Sequence, residues 1–98
     1  NNSNVINIKN LKIDTLGRRV YVNDKEILLT SLEYNLLLYL CENSNQVITR
    51  EQIFDRIWDQ NDNYVNDNTL TVYIKRIREK LGIDIIKTIK GIGYRVDK

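Results

Sequence analysis

Asn66-Asp67-Asn68-Thr69-Leu70-Thr71-Val72-Tyr73-Ile74-Lys75-Arg76-Ile77-Arg78-Glu79-Lys80-Leu81-Gly82 is the stretch on which the fold turns. Leu70, Ile74, Ile77 and Leu81 recur at helical spacing. At about 100° per residue they fall in a stripe about 60° wide. The spacing predicts a helix over residues 66–81, anchored to a core by that stripe. Gly82 stands where a helix C-terminus favours glycine. Asn68, Val72, Lys75, Arg76 and Glu79 take the opposite face.

Beyond Gly82, residues 85–96 read as a hairpin, two β-rich runs flanking Lys90-Gly91-Ile92-Gly93 with both glycines at its tip. Two shorter helices precede the long one. Thr30-Ser31-Leu32-Glu33 has capping-box spacing, a hydroxyl facing an amide three residues on and a carboxylate reaching back. It opens a helix over residues 30–42 with Leu32, Leu36, Leu37 and Leu40 inward. Thr49-Arg50-Glu51-Gln52 repeats the logic for a helix over residues 50–58, apolar through Ile53, Phe54, Ile57 and Trp58. Val47-Ile48 between them is a short extended piece. Residues 5–29 read as a four-stranded antiparallel sheet: Asn23-Asp24 suits a two-residue hairpin turn, and Thr15-Leu16-Gly17 a turn with positive φ at Gly17. The fold class is α+β. Residues 1–4 are polar and read as a linker remnant ahead of a domain over 5–98.

Composition narrows the function. The chain has 98 residues, one Cys and no His, which removes zinc sites, Cys/His pairs and Ser/His/Asp triads. No Asp/Glu pair sits in a Gly-rich loop or at a strand end, so a non-enzymatic chain without cofactor or metal is expected. Cys41 lies in the apolar run of the first helix and reads as a buried thiol. No apolar run nears the ~18 residues of a membrane span, and no secretory signal is visible, so no membrane contact and a cytoplasmic setting are expected. With no initiator Met, the chain reads as cut from something longer. Net charge is +2 but unevenly spread. Residues 1–64 carry seven Lys/Arg against nine Asp/Glu, whereas residues 65–98 carry eight against four. A basic C-terminal third on a near-neutral body suits a localised polyanion-binding face.

A DNA major groove admits one helix, and outward side chains read base edges there. Arg76 can pair with a guanine's O6 and N7, while Lys75 and Arg78 are better placed for phosphates. The hairpin could slip Lys90 into a minor groove, its glycines permitting close approach, with Thr88 and Tyr94 on phosphates. The first turn of the second helix, at Thr49-Arg50, suits another phosphate. Trp58 could either present its indole N–H to the DNA backbone or belong to the core.

Four segments carry a resemblance. Leu29-Thr30-Ser31-Leu32-Glu33-Tyr34-Asn35-Leu36-Leu37, and Val47 to Ile53 continuing through Ile57-Trp58, are similar to stretches of the OmpR/PhoB family of winged-helix effector domains. So are Val72-Tyr73-Ile74-Lys75-Arg76-Ile77-Arg78-Glu79-Lys80-Leu81 and Ile89-Lys90-Gly91-Ile92-Gly93-Tyr94-Arg95, in the same order along nearly the whole chain. The resemblance implies a winged helix-turn-helix with an N-terminal sheet and a C-terminal wing. It implies the DNA-binding output domain of a bacterial two-component response regulator, with tandem protomers on direct-repeat sites. By position Arg76 would be the main base reader and Lys90 the minor-groove cation. Arg50, Trp58, Thr69, Tyr73, Lys75, Arg78 and Tyr94 would serve the DNA backbone, and Val72 shares the recognition surface. A receiver domain would lie N-terminal to this chain, and the loop over residues 59–65 corresponds to a segment that can touch RNA polymerase. Departures are Asn68 and Lys90 where Arg is frequent, Thr71 where an acid is frequent, and Tyr73 where His is common. Asn68 would replace an ionic phosphate contact by a neutral hydrogen bond or lose it.

Two other readings share the fold. The basic face could meet an acidic protein instead of DNA, or the domain could belong to a membrane-anchored one-component regulator.

Overall fold

A computed structural model describes residues 4–58 and 67–98. Strands β1 (Val5–Ile8), β2 (Leu11–Asp14), β3 (Arg19–Val22) and β4 (Lys25–Ile27) form an antiparallel meander in chain order. Alternation sets its register. Leu11 faces Val22 and Ile13 faces Val20. All four are buried, while Lys12 and Tyr21 pair on the other face with the ammonium 5.3 Å from the ring centre. A one-residue slip would turn every apolar side chain outward. The Asn23-Asp24 turn closes β3 on β4 with both residues left-handed, φ 53° and 67°, as a two-residue hairpin of matching twist requires.

Three departures from the sequence reading occur in this half. Gly17 does not take the positive φ; Arg18 does, at 55°. The Asp14 carboxylate accepts from the amides of Leu16 at 3.1 Å and Gly17 at 3.2 Å. A Cβ on Gly17 would lie 3.0 Å from that carboxylate's other oxygen, so the glycine serves close approach. Arg18 is held in its strained conformation by stacking 4.4 Å above the Tyr34 ring and donating to Asn35 Oδ1 at 3.1 Å. β4 stops at Ile27 instead of continuing to Leu29, and Leu28 is 79% exposed. The terminus is tied down one residue earlier than expected: the Asn4 carbonyl accepts from the Thr15 amide at 2.8 Å and hydroxyl at 2.9 Å.

The helices are α1 (Ser31–Glu42), α2 (Arg50–Ile57) and α3 (Asp67–Leu81). Both capping boxes form. Thr30 and Glu33 exchange bonds of 3.2 and 2.9 Å, and Thr49 and Gln52 bonds of 3.1 and 2.9 Å. Trp58 is the cap after α2, with extended backbone. The expected first residue of α3, Asn66, lies outside the described residues. Gly82 closes α3 at φ 70°, its amide donating to the Arg78 carbonyl at 3.0 Å. Cys41 is buried, as its place in α1 suggested. Burial, with the adjacent Glu42 charge, pushes the thiol up to about 12.

The second sheet differs from the expected hairpin. β6 (Ile86–Ile89) and β7 (Gly93–Val96) pair antiparallel, and β5 (Ile48–Thr49) adds as a third strand on the far edge of β7. Only Gly91 belongs to the turn, at φ 76°. Gly93 is a strand residue whose added Cβ would lie 2.0 Å from the Ile48 carbonyl oxygen. It is glycine so that β5 can approach, and it presents no surface to a ligand. The stripe Leu70, Ile74, Ile77 and Leu81 joins Leu36, Leu37 and Leu40, Ile53, both sheets and Val96 in one apolar core.

Candidate nucleic-acid interface

The buried stripe of α3 leaves Asn68, Val72, Lys75, Arg76 and Glu79 exposed. Asn68, Val72 and Arg76 follow one another at a turn's spacing. Together with Thr69 and Tyr73 they line an open depression of about 380 Å³. Val72 is 43% exposed and offers a β-branched apolar surface between two hydrogen-bonding neighbours.

Arg76 is backed by aromatic rings. Its guanidinium lies 5.4 Å from the Tyr73 ring centre, Tyr73 meets Trp58 edge-on at 5.8 Å, and Trp58 packs on Phe54 at 5.3 Å. A guanidinium over a ring face gives up little hydration and loses rotamer freedom in advance. Trp58 is only 9% exposed. It belongs to the core, one of the two readings left open for it, and packs against this surface through Tyr73.

The α2 N-terminus joins the same surface through Arg50. Its Nη1 donates to the Tyr94 hydroxyl at 3.3 Å and its Nη2 to Thr71 Oγ1 at 3.3 Å. The Arg50 amide donates to the Ile92 carbonyl at 3.1 Å. One residue thus touches α3, β7 and the β6–β7 turn. Thr71, the position where an acid is frequent in the resembling family, contributes a neutral acceptor here. Tyr94 itself is buried. Thr71 and Ile92 were not singled out as site residues from the sequence. For Ile92 the missed signal was an apolar residue in a turn, and it is 50% exposed.

About two turns on from Thr71 along the same flank of α3, Arg78 turns toward β6. Its Nη2 donates to the Ile86 carbonyl at 2.7 Å and to Thr88 Oγ1 at 2.9 Å. Thr88 and Lys90 are exposed, Lys90 at the turn itself. At the C-terminal end of α3, Lys80 Nζ donates to Glu33 Oε1 at 2.6 Å. The Glu33 side chain is 2% exposed and that of Lys80 39%. Burial drives the Glu33 carboxyl upward. The hydrogen bonds from Lys80 and the Thr30 amide, with the Lys80 charge, outweigh that and hold it below the usual carboxylate range.

Of the twelve site residues expected from the sequence, the structure therefore gathers Asn68, Thr69, Val72, Tyr73, Lys75 and Arg76 on α3, with Arg50 and Tyr94 at one side. Thr88 and Lys90 lie on the hairpin. Trp58 stands behind this surface and Arg78 spans between its two parts. The segment over residues 59–65 lies outside the described residues. Among the described residues no group of His, Cys, Asp and Glu side chains could hold a metal, and no helix is long and apolar enough to cross a membrane.

Residues 24–96 match the family described as "Transcriptional regulatory protein, C terminal". The chain is 37% identical to the regulatory protein VanR of Enterococcus faecium over 99% of its own length and 44% of VanR. It superimposes on the response regulator DrrB, an OmpR/PhoB homologue of Thermotoga maritima, with a TM-score of 0.87 and 33% identity, covering 97% of this chain and 45% of DrrB. The DNA-binding domain of the response regulator AdeR, solved with an intercistronic region, matches at a TM-score of 0.82 and 26% identity over 95% of this chain and 98% of that domain. The chain thus spans less than half the length of the full-length relatives it matches. Sequence match, element order and shared architecture together make it a member of the transcriptional regulatory protein C-terminal family, the OmpR/PhoB-type winged-helix DNA-binding output domains of response regulators.

Proposed function

We propose that this domain reads a specific duplex sequence by laying α3 in the major groove and the β6–β7 turn in the adjacent minor groove. The observation that carries the reading is the division of α3. Leu70, Ile74, Ile77 and Leu81 are all buried, and the outward column Asn68, Val72, Arg76 stands free of the core beside a hairpin tipped by exposed Lys90. Arg76, pre-stacked on Tyr73, donates to guanine O6 and N7. Val72 meets a thymine methyl. Lys75, Thr69, Tyr73, Arg50 and Tyr94 face phosphates, with Asn68 a neutral donor where Arg is frequent. Lys90 enters the minor groove, drawn by its negative potential.

In the whole protein this domain follows a receiver domain whose phosphorylation promotes tandem binding to a direct repeat in the cytoplasm. Residues 59–65 face RNA polymerase. The domain is a reader and carries out no catalysis.

Selection from a random duplex pool at two salt concentrations tests the proposal. An enriched direct repeat with half-sites about one helical turn apart is the expected result. Binding without enrichment, lost at moderate salt, would replace the DNA reader with a basic surface that meets an acidic protein.

A further inference from the structure

The side chain of Arg78 has the charge for a phosphate contact and the wrong geometry for a strong one. A guanidinium grips an oxyanion bidentately through Nε and Nη2 or through Nη1 and Nη2. Both modes need a hydrogen of Nη2. That nitrogen has two, and they go to the Ile86 carbonyl at 2.7 Å and to Thr88 Oγ1 at 2.9 Å. The bonds are internal and run from α3 to the first strand of the hairpin; the one to the Ile86 carbonyl is half-buried and the one to Thr88 exposed. The helix phase agrees, since Arg78 lies about 80° around from Leu70, at the margin of the buried stripe and away from the Asn68–Arg76 column.

We infer that Arg78 is a positioning residue: with Thr88 it locks the β6–β7 hairpin to α3, so that the two groove contacts are made as one rigid body. The inference rests on the DNA-reading function proposed above and assigns Arg78 a different part in it from phosphate binding. Mutual dependence of the two grooves follows. If the strut is loosened, α3 docks without fixing where Lys90 goes, and the minor-groove contact loses most of its worth because the hairpin must be ordered on binding.

The test uses this chain and the duplex that its wild-type form enriches from a random pool. Affinity is measured against salt for Arg78→Lys, Thr88→Val, Lys90→Ala and Arg78→Ala, and for Lys90→Ala combined with each of the first two. Arg78→Lys keeps the charge but cannot make both bonds with one planar nitrogen. Thr88→Val removes one acceptor and leaves all charges in place.

The strut predicts about a tenfold loss for Arg78→Lys with an unchanged salt slope, and a smaller loss in the same direction for Thr88→Val. In either background Lys90→Ala should cost less than it does in the wild type. Thermal unfolding checks that each variant is folded at the assay temperature, and Thr88→Val carries the decision if Arg78→Lys is not.

Full affinity for both variants, or additive effects with Lys90→Ala, would overturn the strut while leaving the DNA reader standing. So would retained affinity in Arg78→Lys together with a salt slope lower by about one in Arg78→Ala, the mark of a phosphate ligand. A wild-type chain that enriches no sequence would overturn the DNA reader and the strut together.

Discussion

Arg76 and Cys41 show how much the surroundings decide what a side chain can do. The Arg76 guanidinium is exposed yet stacked on Tyr73, so the proposed base reader is a donor fork that already holds its orientation. Arg76→Ala should cost about 1–3 kcal/mol in affinity for the selected duplex and relax preference at one base pair. Binding measured on single-base variants of the site checks this, and Lys75→Ala in the same assay should weaken all of them equally. Cys41 is the opposite case. With its thiol pushed up to about 12 by burial, it stays protonated near neutrality, and the thiolate is the reactive form. A thiol reagent at about pH 8 should label the folded chain at least ~100-fold more slowly than the denatured one. Rapid labelling of the native protein would show that α1 opens at its C-terminal end. Cys41 was legible from sequence because an apolar run determines its own burial. Arg78 was not, because its acceptors sit on a strand that helix phase alone does not bring alongside.

At the level of elements, legibility followed the range of the interactions. α1 and α2 begin where the capping boxes placed them because Thr30–Glu33 and Thr49–Gln52 close within one turn. The left-handed Asn23-Asp24 turn is likewise local. β5 read only as an extended piece, since its partner β7 lies more than forty residues away in sequence. Gly93 was misplaced for the same reason: its need for glycine comes from Ile48 and is invisible in Gly91-Ile92-Gly93 alone. Gly93→Ala therefore makes a stringent test of the second sheet. A methyl group 2.0 Å from the Ile48 carbonyl oxygen cannot be relieved by a rotamer change, and the substitution should cost more than about 3 kcal/mol in denaturant unfolding. Gly91→Ala, strained only by its φ of 76°, should cost about 1 kcal/mol.

Across the whole molecule, the Glu33–Lys80 pair joins the start of α1 to the end of α3, and so ties the helix packed under the first sheet to the helix proposed to read DNA. Because the folded state holds the Glu33 carboxyl below its ordinary value of 4.5, the unfolded chain takes up its proton first as pH falls. The pair's stabilisation is complete above that value and is lost as pH drops through the folded one. Glu33→Gln should cost about 1–3 kcal/mol at neutral pH, less than a fully buried pair because Lys80 is partly in water. Denaturant curves for the two proteins should converge below about pH 4; a gap that persists there would assign the loss to packing instead of charge.

The three-stranded order β5-β7-β6 has a further consequence for anyone recombining such domains. The hairpin is hydrogen-bonded to the two residues that lead directly into α2, and its turn carbonyl accepts the first amide of that helix. Transplanting the hairpin from a relative would leave a mismatched seam along Ile48 and Thr49, whereas exchanging residues 48–58 and 86–96 together keeps that joint intact and leaves the bonds from Thr71 and Arg78 of α3 as the seam to match.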